Sequence, residues 1–241
     1  MKNPNIHIGC SAFNNTYWKG IFYPENFPRT KWFDFYASQF GTYELNGTFY
    51  KPPTVKSLKT WYIKVPDDFI FSVKAPKVIT HFKKFTDCQT EIDDFYAICR
   101  EGLAEKLGCV LFQLPPSFDF SAEKLELIVG SLNPDFKNVV EFRHQSWWCD
   151  EVFETFKRHQ ITFCNVSFPN LPEALTATSA VGYIRLHGVP KLFYSGYDSS
   201  FLDELRNRIL KQENWEEVFL YFNNTAGAEG ILNAVEMQKK F

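Results

Sequence analysis

The chain has 241 residues, of which 45% are hydrophobic, so it can fold as one large domain with a sizeable core rather than remain disordered. Its formal net charge of −2 argues against a protein that coats nucleic acid or an anionic membrane, although a local basic site is compatible with it. The six cysteines form no C-x-x-C pair, which favours reduced thiols in a cytoplasmic protein. Segment 1–5 lacks the apolar core of a signal peptide, and no apolar run approaches the roughly 18 residues of a membrane span, so we expect no membrane partner.

The first half of the chain shows four strand-like runs, each followed by a helical pattern. The strands are expected at 6–11, 42–46, 69–74 and 109–114. Apolar residues at helical spacing predict helices at about 30–40, 54–64, 91–107 and 121–132. Gly108 is expected to end the third helix. The nearly continuous apolar run that follows it is typical of a parallel strand buried on both faces.

The second half repeats this alternation. Strands are expected at 139–143, 161–166, 182–188 and 218–222. Helices are expected at about 151–159 and 199–211, with a last helix through Ala234 and Met237. Segment 169–179 is poor in pattern, so the sixth crossover is expected to be irregular.

Eight strand-like runs that alternate with helices predict an α/β protein with a parallel sheet. The count of eight and the chain length favour a single TIM-type (β/α)8 barrel over an open doubly wound sheet. No G-x-G-x-x-G follows the first strand, which weakens the dinucleotide-binding alternative. No linker or low-complexity stretch interrupts the chain, so residues 1–241 are predicted to form one domain.

In such a barrel the carboxyl ends of the strands form the functional face. Polar and charged residues collect at the predicted ends: Ser11, Glu44, Asn46, Lys74, Gln113, Glu141, Arg143, Asn165, Arg185, His187, Asn223 and Asn224. Three fixed cations face two carboxylates there, which leaves one positive charge in excess in a chain whose net charge is −2. Because guanidinium groups bind phosphates and carboxylates through paired hydrogen bonds, this excess predicts a pocket for an anionic small molecule.

The predicted site residues fall into two groups. Candidates for acid–base catalysis, either moving protons or orienting the group that does, are Glu44, Glu141, His81 and His187. Candidates for holding the ligand are Asn46, Tyr50, Lys74, Gln113, Arg143, His144, Ser146, Trp147, Arg185, Asn223 and Asn224. On this interpretation the protein hydrolyses or isomerises a phosphate- or carboxylate-bearing ligand, with hydrolysis favoured and no cofactor predicted.

Two other interpretations use the same residues. The basic and aromatic side chains could form a non-catalytic binding site for a phosphorylated metabolite or a nucleic-acid end. Alternatively, the pairs Arg143–Glu44 and Arg185–Glu141 could be buried salt bridges that only complete the top of the barrel. Buried pairs of this kind shift their own pKa values without taking part in catalysis.

A metal site is a further alternative. A divalent cation would be bound by carboxylates and imidazoles on separate strands: Glu44, Glu141, His81 and His187. No H-x-H or H-E-x-x-H spacing supports this site, and the nearby arginines would repel a cation. A nucleophile pair of Ser146 with His144 is weaker still, because neighbours two apart in a loop lack a third orienting group. A hydroxyl that caps the following helix explains Ser146 better.

Six groups of residues recur together, in the same order, in a known family: 47–50, 71–76 with 80–81, 112–116, 141–147, 185–188, and 222–224 with 233–234. On these motifs the chain closely resembles the YecE-like family, catalogued as domain of unknown function 72. The resemblance implies a TIM-type barrel, and its recurrent residues are the site residues above together with Thr48. The chain departs from the family at Phe13, Gly47 and Thr225, and the last departure removes an acidic group. The family brings no established reaction.

Overall fold

The computed structural model describes residues 3–241, so Met1 and Lys2 of segment 1–5 lie outside the described residues. Over these residues the chain forms nine β-strands: β1 (Asn5–Cys10), β2 (Thr42–Leu45), β3 (Ile70–Lys74), β4 (Leu107–Gln113), β5 (Lys137–Glu141), β6 (Thr162–Phe163), β7 (Asn165–Ser167), β8 (Val181–Leu186) and β9 (Glu217–Phe222). It also forms eight α-helices: α1 (Trp32–Gln39), α2 (Gly47–Tyr50), α3 (Val55–Tyr62), α4 (Gln89–Leu103), α5 (Ala122–Ser131), α6 (Asp150–Arg158), α7 (Ser199–Leu210) and α8 (Glu229–Gln238).

The strands form two parallel sheets. One sheet has the strand order β1-β9-β8-β7, and the other has the order β2-β3-β4-β5-β6. Because the strands are parallel and helices alternate with them along the chain, the predicted α/β class is confirmed. The predicted eight-strand barrel is present only as these two sheets, since the hydrogen-bonded ladder is interrupted in the sixth predicted strand and between β1 and β2.

The first interruption lies within the predicted strand 161–166. β6 pairs with β5, whereas β7 pairs with β8. Cys164 lies between the two pairings, and its backbone N–H still donates to Val140 O at 2.9 Å. The prediction of one strand is therefore corrected to two short strands, because the chain changes its partner at Cys164. The crossover that follows is irregular, as predicted, and the Asn165 side chain holds it by exchanging hydrogen bonds with the backbone of Thr176.

The second interruption is filled by a side chain. The backbone N–H of Cys10 on β1 donates to the Tyr36 hydroxyl at 2.7 Å, and this hydroxyl donates to Thr42 O on β2 at 3.0 Å. A Cβ atom on Gly9 would lie only 2.5 Å from Thr42 O, so glycine allows the close approach of the two strands. A tyrosine hydroxyl thus takes the place of a direct backbone bond between β1 and β2.

A small apolar layer lies next to the candidate site. It is a buried cluster, separate from the main core, and its members come from the strands and from Cys164 between two of them: Cys109, Leu111, Val139, Cys164, Val166, Tyr183, Phe219 and Tyr221. Side chains two residues apart in a strand share a face, so Val139 is followed on its face by Glu141, and Tyr183 by Arg185. The cluster is therefore the floor on which the polar residues of the strand ends stand.

The end of α4 differs from the prediction. The helix ends at Leu103, where Ala104 follows in a left-handed conformation with φ of 48°. Gly108 is therefore not the predicted stop signal but lies inside β4. A Cβ atom there would meet Ile70 Cγ2 at 2.5 Å, so this glycine is explained by packing between neighbouring strands.

The cysteines are unpaired, as predicted. All six are free thiols, and all but Cys149 are buried. Burial raises the pKa of the Cys99 thiol, which favours its protonated, unreactive form. Among the described residues, no helix combines the length and the apolar character that crossing a bilayer requires.

Candidate functional site

A cavity of about 350 Å³ lies at the carboxyl ends of the strands. Polar and aromatic side chains of the described residues line it: Asn46, Phe49, Tyr50, Lys74, His81, Gln113, Pro116, Arg143, Phe168, Arg185, His187, Phe193 and Asn223. All of them except Phe49, Pro116, Phe168 and Phe193 are predicted site residues. The volume is typical of a small-molecule site.

A buried ion network lies beneath this cavity, with Arg185 between Glu44 and Glu141. Arg185 Nε donates to Glu44 Oε1 at 2.9 Å, and Nη2 donates to Glu44 Oε2 at 2.7 Å. Arg185 Nη1 donates to Glu141 Oε2. The Tyr183 hydroxyl and Asn46 Nδ2 complete the hydrogen bonds of Glu44, at 2.8 and 2.9 Å. One guanidinium thus holds two carboxylates whose side chains are 0% exposed.

The charges of Glu141 and Arg185 stabilise one another. Although burial opposes ionisation, the guanidinium groups of Arg143 and Arg185 hold the pKa of the Glu141 carboxyl well below its usual value. Burial also disfavours charged Arg185, but the Glu141 and Glu44 carboxylates raise its pKa well above the usual value. Both carboxylates are engaged below the cavity rather than in its lining, and their catalytic roles stay predictions.

Arg143 connects the network to the cavity. Its Nε donates to Glu141 Oε1, and its Nη2 lies 3.1 Å from His187 Nε2. Because arginine can only donate, His187 Nε2 accepts, and the neutral imidazole carries its proton on Nδ1. The Glu141 oxygen 3.6 Å from the same Nε2 is too distant for a hydrogen bond. In agreement, burial and the Arg143 charge lower the pKa of His187 to about 3.

Two buried polar atoms of the cavity residues have no hydrogen-bond partner among the described residues. They are Asn46 Oδ1 and His187 Nδ1. Leaving such an atom unpaired costs about 1–3 kcal/mol. The first is an acceptor and the second a donor, and each lacks a partner within the described residues.

Lys74, at the end of β3, places an amine in the cavity. Its Nζ donates to Gln113 Oε1 at 2.8 Å and lies 4.1 Å from the centre of the Phe49 ring. Gln113 is held in turn, since its Nε2 donates to Leu114 O at 2.7 Å. Burial, followed by the charge of Arg185, lowers the pKa of Lys74 to about 7. At neutral pH this amine is therefore divided between its charged and neutral forms.

His81 reaches the cavity from a π-helical turn, Val78–Phe82. Its Nδ1 lies 2.9 Å from the Thr80 hydroxyl, and its ring packs edge-on against Phe49 at 4.9 Å. Burial and the Lys74 charge lower the pKa of His81 to about 4, so its imidazole is neutral at pH 7. A neutral imidazole and a partly neutral amine thus both contact the Phe49 ring in the cavity lining.

We expect the substitution Lys74→Met to change how stability depends on pH. The folded pKa is about 7 and the unfolded pKa about 10.4, so between these values the unfolded chain binds a proton that the folded chain lacks. The Lys74 contribution to stability therefore rises with pH, by up to about 1.4 kcal/mol per unit. Between pH 7 and 8.5 the wild type should gain about 1–2 kcal/mol in free energy of unfolding relative to the variant.

The measurement is urea unfolding of both proteins across this pH range. Ionisation of the unfolded cysteines, whose ordinary pKa is about 8.5, is common to both proteins and cancels in the difference between them. Lys77→Met is the control, because Lys77 follows the same strand but lies outside the cavity lining. A pH-independent difference between the wild type and Lys74→Met would contradict the lowered pKa.

Four predicted ligand-binding residues lie outside the lining: His144, Ser146, Trp147 and Asn224. The Ser146 hydroxyl lies 2.7 Å from His144 Nδ1 and accepts the backbone N–H of Phe120 at 2.8 Å, so it ties two loops together. Trp147 is buried, and its Nε1 donates to Phe118 O at 2.7 Å. Structural hydrogen bonds thus account for His144, Ser146 and Trp147, and a ligand-binding role for all four residues stays a prediction.

The sequence prediction missed four lining residues: Phe49, Pro116, Phe168 and Phe193. Phe168 packs edge-on against His187 at 5.5 Å, and its ring centre lies 4.1 Å from the Arg143 guanidinium carbon. The predicted strand ended at residue 166, so Phe168 was not recognised as a strand-end residue. Phe193 packs against the other side of the site, 6.3 Å from the His187 ring. Its position in the aromatic loop after the seventh predicted strand was the available signal.

The geometry does not favour the predicted metal alternative. Within residues 3–241, no three His, Cys, Asp or Glu side chains are grouped as a set of metal ligands. Glu44 and Glu141 are paired with arginine, and His187 receives a hydrogen bond from Arg143. These side chains would have to leave their partners to bind a cation.

Comparison of sequences connects the chain to a described family. The family model "Protein of unknown function DUF72" matches residues 7–241. The chain is 24% identical over 265 residues to the UPF0759 protein YunF of Bacillus subtilis strain 168, covering 96% of this chain and 93% of YunF. It is 30% identical over 114 residues to the UPF0759 protein YecE of Escherichia coli K12, covering 47% of this chain and 42% of YecE.

Comparison of structures leads to the same family. A crystal structure of a DUF72 family protein from Thermotoga maritima MSB8 has a TM-score of 0.88 and 29% identity, with 98% of each chain covered. A DUF72 family protein from Enterococcus faecalis V583 has a TM-score of 0.82 and 21% identity, covering 97% of this chain and 94% of that chain. The second likeness concerns the fold alone. The names of these proteins give no ligand or reaction.

Proposed function

The chain belongs to the DUF72 family of proteins of unknown function, and from that premise and the lining of the cavity we propose that it binds a small phosphate- or carboxylate-bearing molecule. The observation that carries this proposal is the charge of the lining. Among the described residues that line the cavity, three are cationic side chains and none is a carboxylate. Lys74, Arg143 and Arg185 would thus face the ligand, while Glu44 and Glu141, which pair with the two arginines, lie behind them.

The three cations would contribute unequally. Arg185 is 1% exposed and is bonded on all three guanidinium nitrogens. It would therefore attract an anion through its charge rather than through direct hydrogen bonds. Arg143, whose side chain is 9% exposed, and Lys74 are the groups that can touch an anion. The amides of Asn46 and Asn223, which also line the cavity, would orient the rest of the ligand.

The chemistry that this arrangement supports is acid–base catalysis on the bound anion. The uncharged imidazole of His81 and the neutral form of Lys74 can accept protons at pH 7. The sequence favoured hydrolysis with a carboxylate base. The pairing of Glu44 and Glu141 with Arg185 instead favours proton transfer by Lys74 and His81, as in an isomerase. Isomerisation is therefore the proposed reaction class, with hydrolysis second.

A non-catalytic binding protein for a phosphorylated metabolite or a nucleic-acid end is the other candidate. The pairing of Glu44 and Glu141 with Arg185 favours this candidate, because the two carboxylates with predicted catalytic roles are engaged in an ion network. The substitution His81→Asn distinguishes the candidates once a ligand is found. In an enzyme it would reduce turnover more than affinity, whereas a binding protein has no turnover to lose.

We also infer that the two sheets together enclose one barrel-like domain over residues 3–241, the described part of the predicted domain 1–241. The Tyr36 bridge between β1 and β2 and the partner change at Cys164 support this inference, since each connects the two sheets. The free thiols support a cytoplasmic location, because disulfides are rare in that compartment.

We expect anions to stabilise the protein against heat. Inorganic phosphate, glycerol 3-phosphate and glycolate should each raise the melting temperature, because they bind the folded state only. A ligand at a hundred times its Kd adds about 2.7 kcal/mol to the free energy of unfolding. Thermal-shift measurement at constant ionic strength checks this, with glycerol and ethylene glycol as matched uncharged controls. Equal shifts for charged and uncharged compounds would contradict the proposal.

A further inference from the structure

The cavity combines an anion site with an unusual amine, and we propose that Lys74 is a nucleophile that forms an imine with a ketone or aldehyde group of the bound anion. The substrate class would then be 2-oxo acids or phosphorylated carbonyl compounds. This inference rests on the proposed anion site and adds to it the identity of the reacting group.

The position of Lys74 supports this role. The side chain is 9% exposed, lines the cavity and is fixed by the 2.8 Å hydrogen bond to Gln113 Oε1. The Phe49 ring covers one side of the amine at 4.1 Å, so water reaches Nζ mainly through the cavity. An amine that is held still and partly shielded from water is well placed to attack a carbonyl carbon.

The electrostatics of Lys74 support it as well. Only the neutral amine is nucleophilic, and the pKa of about 7 leaves about half of it neutral at pH 7. Lys106 provides the contrast, since it is also buried but donates to Tyr62 O and Val65 O at 3.1 and 3.0 Å, with Asp67 at 3.8 Å. Lys106 is therefore held by two backbone carbonyls outside the cavity, whereas Lys74 lies in the cavity lining near two arginines and the two buried carboxylates.

The steps use groups of the cavity and one proton from solvent. The Nζ lone pair adds to the carbonyl carbon, the C=O π bond breaks towards oxygen, and one Nζ proton is passed through His81 to that oxygen. His81 then takes a proton from solvent and delivers it to the carbinolamine hydroxyl group, which leaves as water while the nitrogen lone pair forms the C=N bond. The products are a protonated imine and one water molecule. Because the imine withdraws electrons, a proton on the adjacent carbon becomes acidic, which is the chemistry that an isomerase needs.

Arg143 would set the substrate class. It is the permanently charged group of the lining that can still donate to a ligand, because Arg185 is bonded on all three guanidinium nitrogens and Lys74 must be neutral to attack. A carboxylate or phosphate bound at Arg143 would hold the carbonyl group within the same cavity of about 350 Å³. A neutral aldehyde lacks this anchor and should react much more slowly.

Reductive trapping tests the proposal. The wild type is incubated with glyoxylate or dihydroxyacetone phosphate in the presence of cyanoborohydride, which reduces the imine to a stable amine. Intact mass and peptide mapping then locate the adduct. We expect modification at Lys74 with at least one probe. The trapping rate should rise roughly tenfold between pH 6 and 8 and level off above pH 8, as the neutral fraction of an amine with a pKa of about 7 does.

The controls separate this proposal from the anion site. Lys74→Met should abolish trapping, whereas Lys77→Met should not. Glycolate and glycerol 3-phosphate, which carry the same anions without a carbonyl, measure binding alone by thermal shift. If they stabilise the protein but no adduct forms at Lys74 with either probe, the nucleophile is excluded and the anion site survives. If they do not stabilise it, the anion site fails as well. Adducts spread over surface lysines, with a rate that keeps rising above pH 8, would also overturn the proposal.

Discussion

Arg185→Met is expected to destabilise the fold by about 3–5 kcal/mol, the largest stability effect that we predict for a single substitution. The guanidinium forms three hydrogen bonds to two carboxylates that are 0% exposed. Removing it would leave Glu44 and Glu141 as buried charges of the same sign. Glu141 would keep only Arg143 as a partner, and Glu44 would have to take up a proton or draw water into the interior, which costs free energy.

Urea unfolding at pH 7 measures this effect. The exposed pair Lys59–Glu101, at 3.5 Å, provides the comparison, and Lys59→Met should cost less than about 1 kcal/mol. The double variant with Glu44→Gln and Arg185→Met should recover much of the loss, because Glu141 stays paired with Arg143 and no uncompensated carboxylate remains. An effect of Arg185→Met as small as that of Lys59→Met would contradict the buried network.

Arg143→Met is expected to have the largest effect on anion affinity. The side chain stands between Glu141 and the cavity, so the substitution removes the group that can donate directly to the ligand. A hydrogen bond to a charged group contributes about 1.5–3 kcal/mol, so the Kd should rise roughly 10- to 150-fold. Arg143→Lys should lie in between, since it keeps the charge but loses the two-point geometry.

Calorimetric titration of glycerol 3-phosphate measures these affinities on variants first shown by circular dichroism to be folded. Arg29→Met is the control, because Arg29 lies outside the lining and packs against Trp32. Wild-type affinity should also fall between pH 6 and 8 as Lys74 loses its proton, opposite to the trend expected for imine trapping. Unchanged affinity in Arg143→Met would place the anion elsewhere.

The position of the site could be predicted because strand geometry is local. Residues at period two share a face, so Glu141 and Arg143 were expected at one strand end and Arg185 and His187 at another. The structure places Arg143, Arg185 and His187 in one cavity lining, with Glu141 below them. The alternation of side chains along each strand is sufficient to predict which residues lie at the strand ends.

The pairing of charges could not be predicted in the same way. The sequence allowed Arg143–Glu44 and Arg185–Glu141, whereas Arg143 pairs with Glu141 and Arg185 holds both carboxylates. The alternation of side chains along a strand shows which residues share a face, but it does not give the distances between side chains on different strands. The lowered pKa of Lys74 could not be predicted for the same reason, because its burial depends on Phe49, Gln113 and other residues that are brought together by the fold.

The interruptions of the ladder depend on contacts that are remote in sequence. The hydroxyl between β1 and β2 comes from Tyr36 on α1, whose helical pattern indicates only an apolar face. The partner change at Cys164 leaves the apolar pattern of 161–166 intact, so the sequence predicted one strand. Gly108 resembles a helix stop in sequence, and only its approach to Ile70 reveals its packing role.

The most direct test of the anion site is a crystal structure of the protein soaked in tungstate. Tungstate resembles phosphate in shape and charge, and its anomalous scattering locates it independently of the protein atoms. We predict an anomalous peak in the cavity, within hydrogen-bonding distance of Arg143 and Lys74, and its loss in crystals of Arg143→Met. An empty cavity in soaked crystals, with peaks only at exposed lysines, would contradict the proposed anion site and leave the buried ion network with a structural role alone.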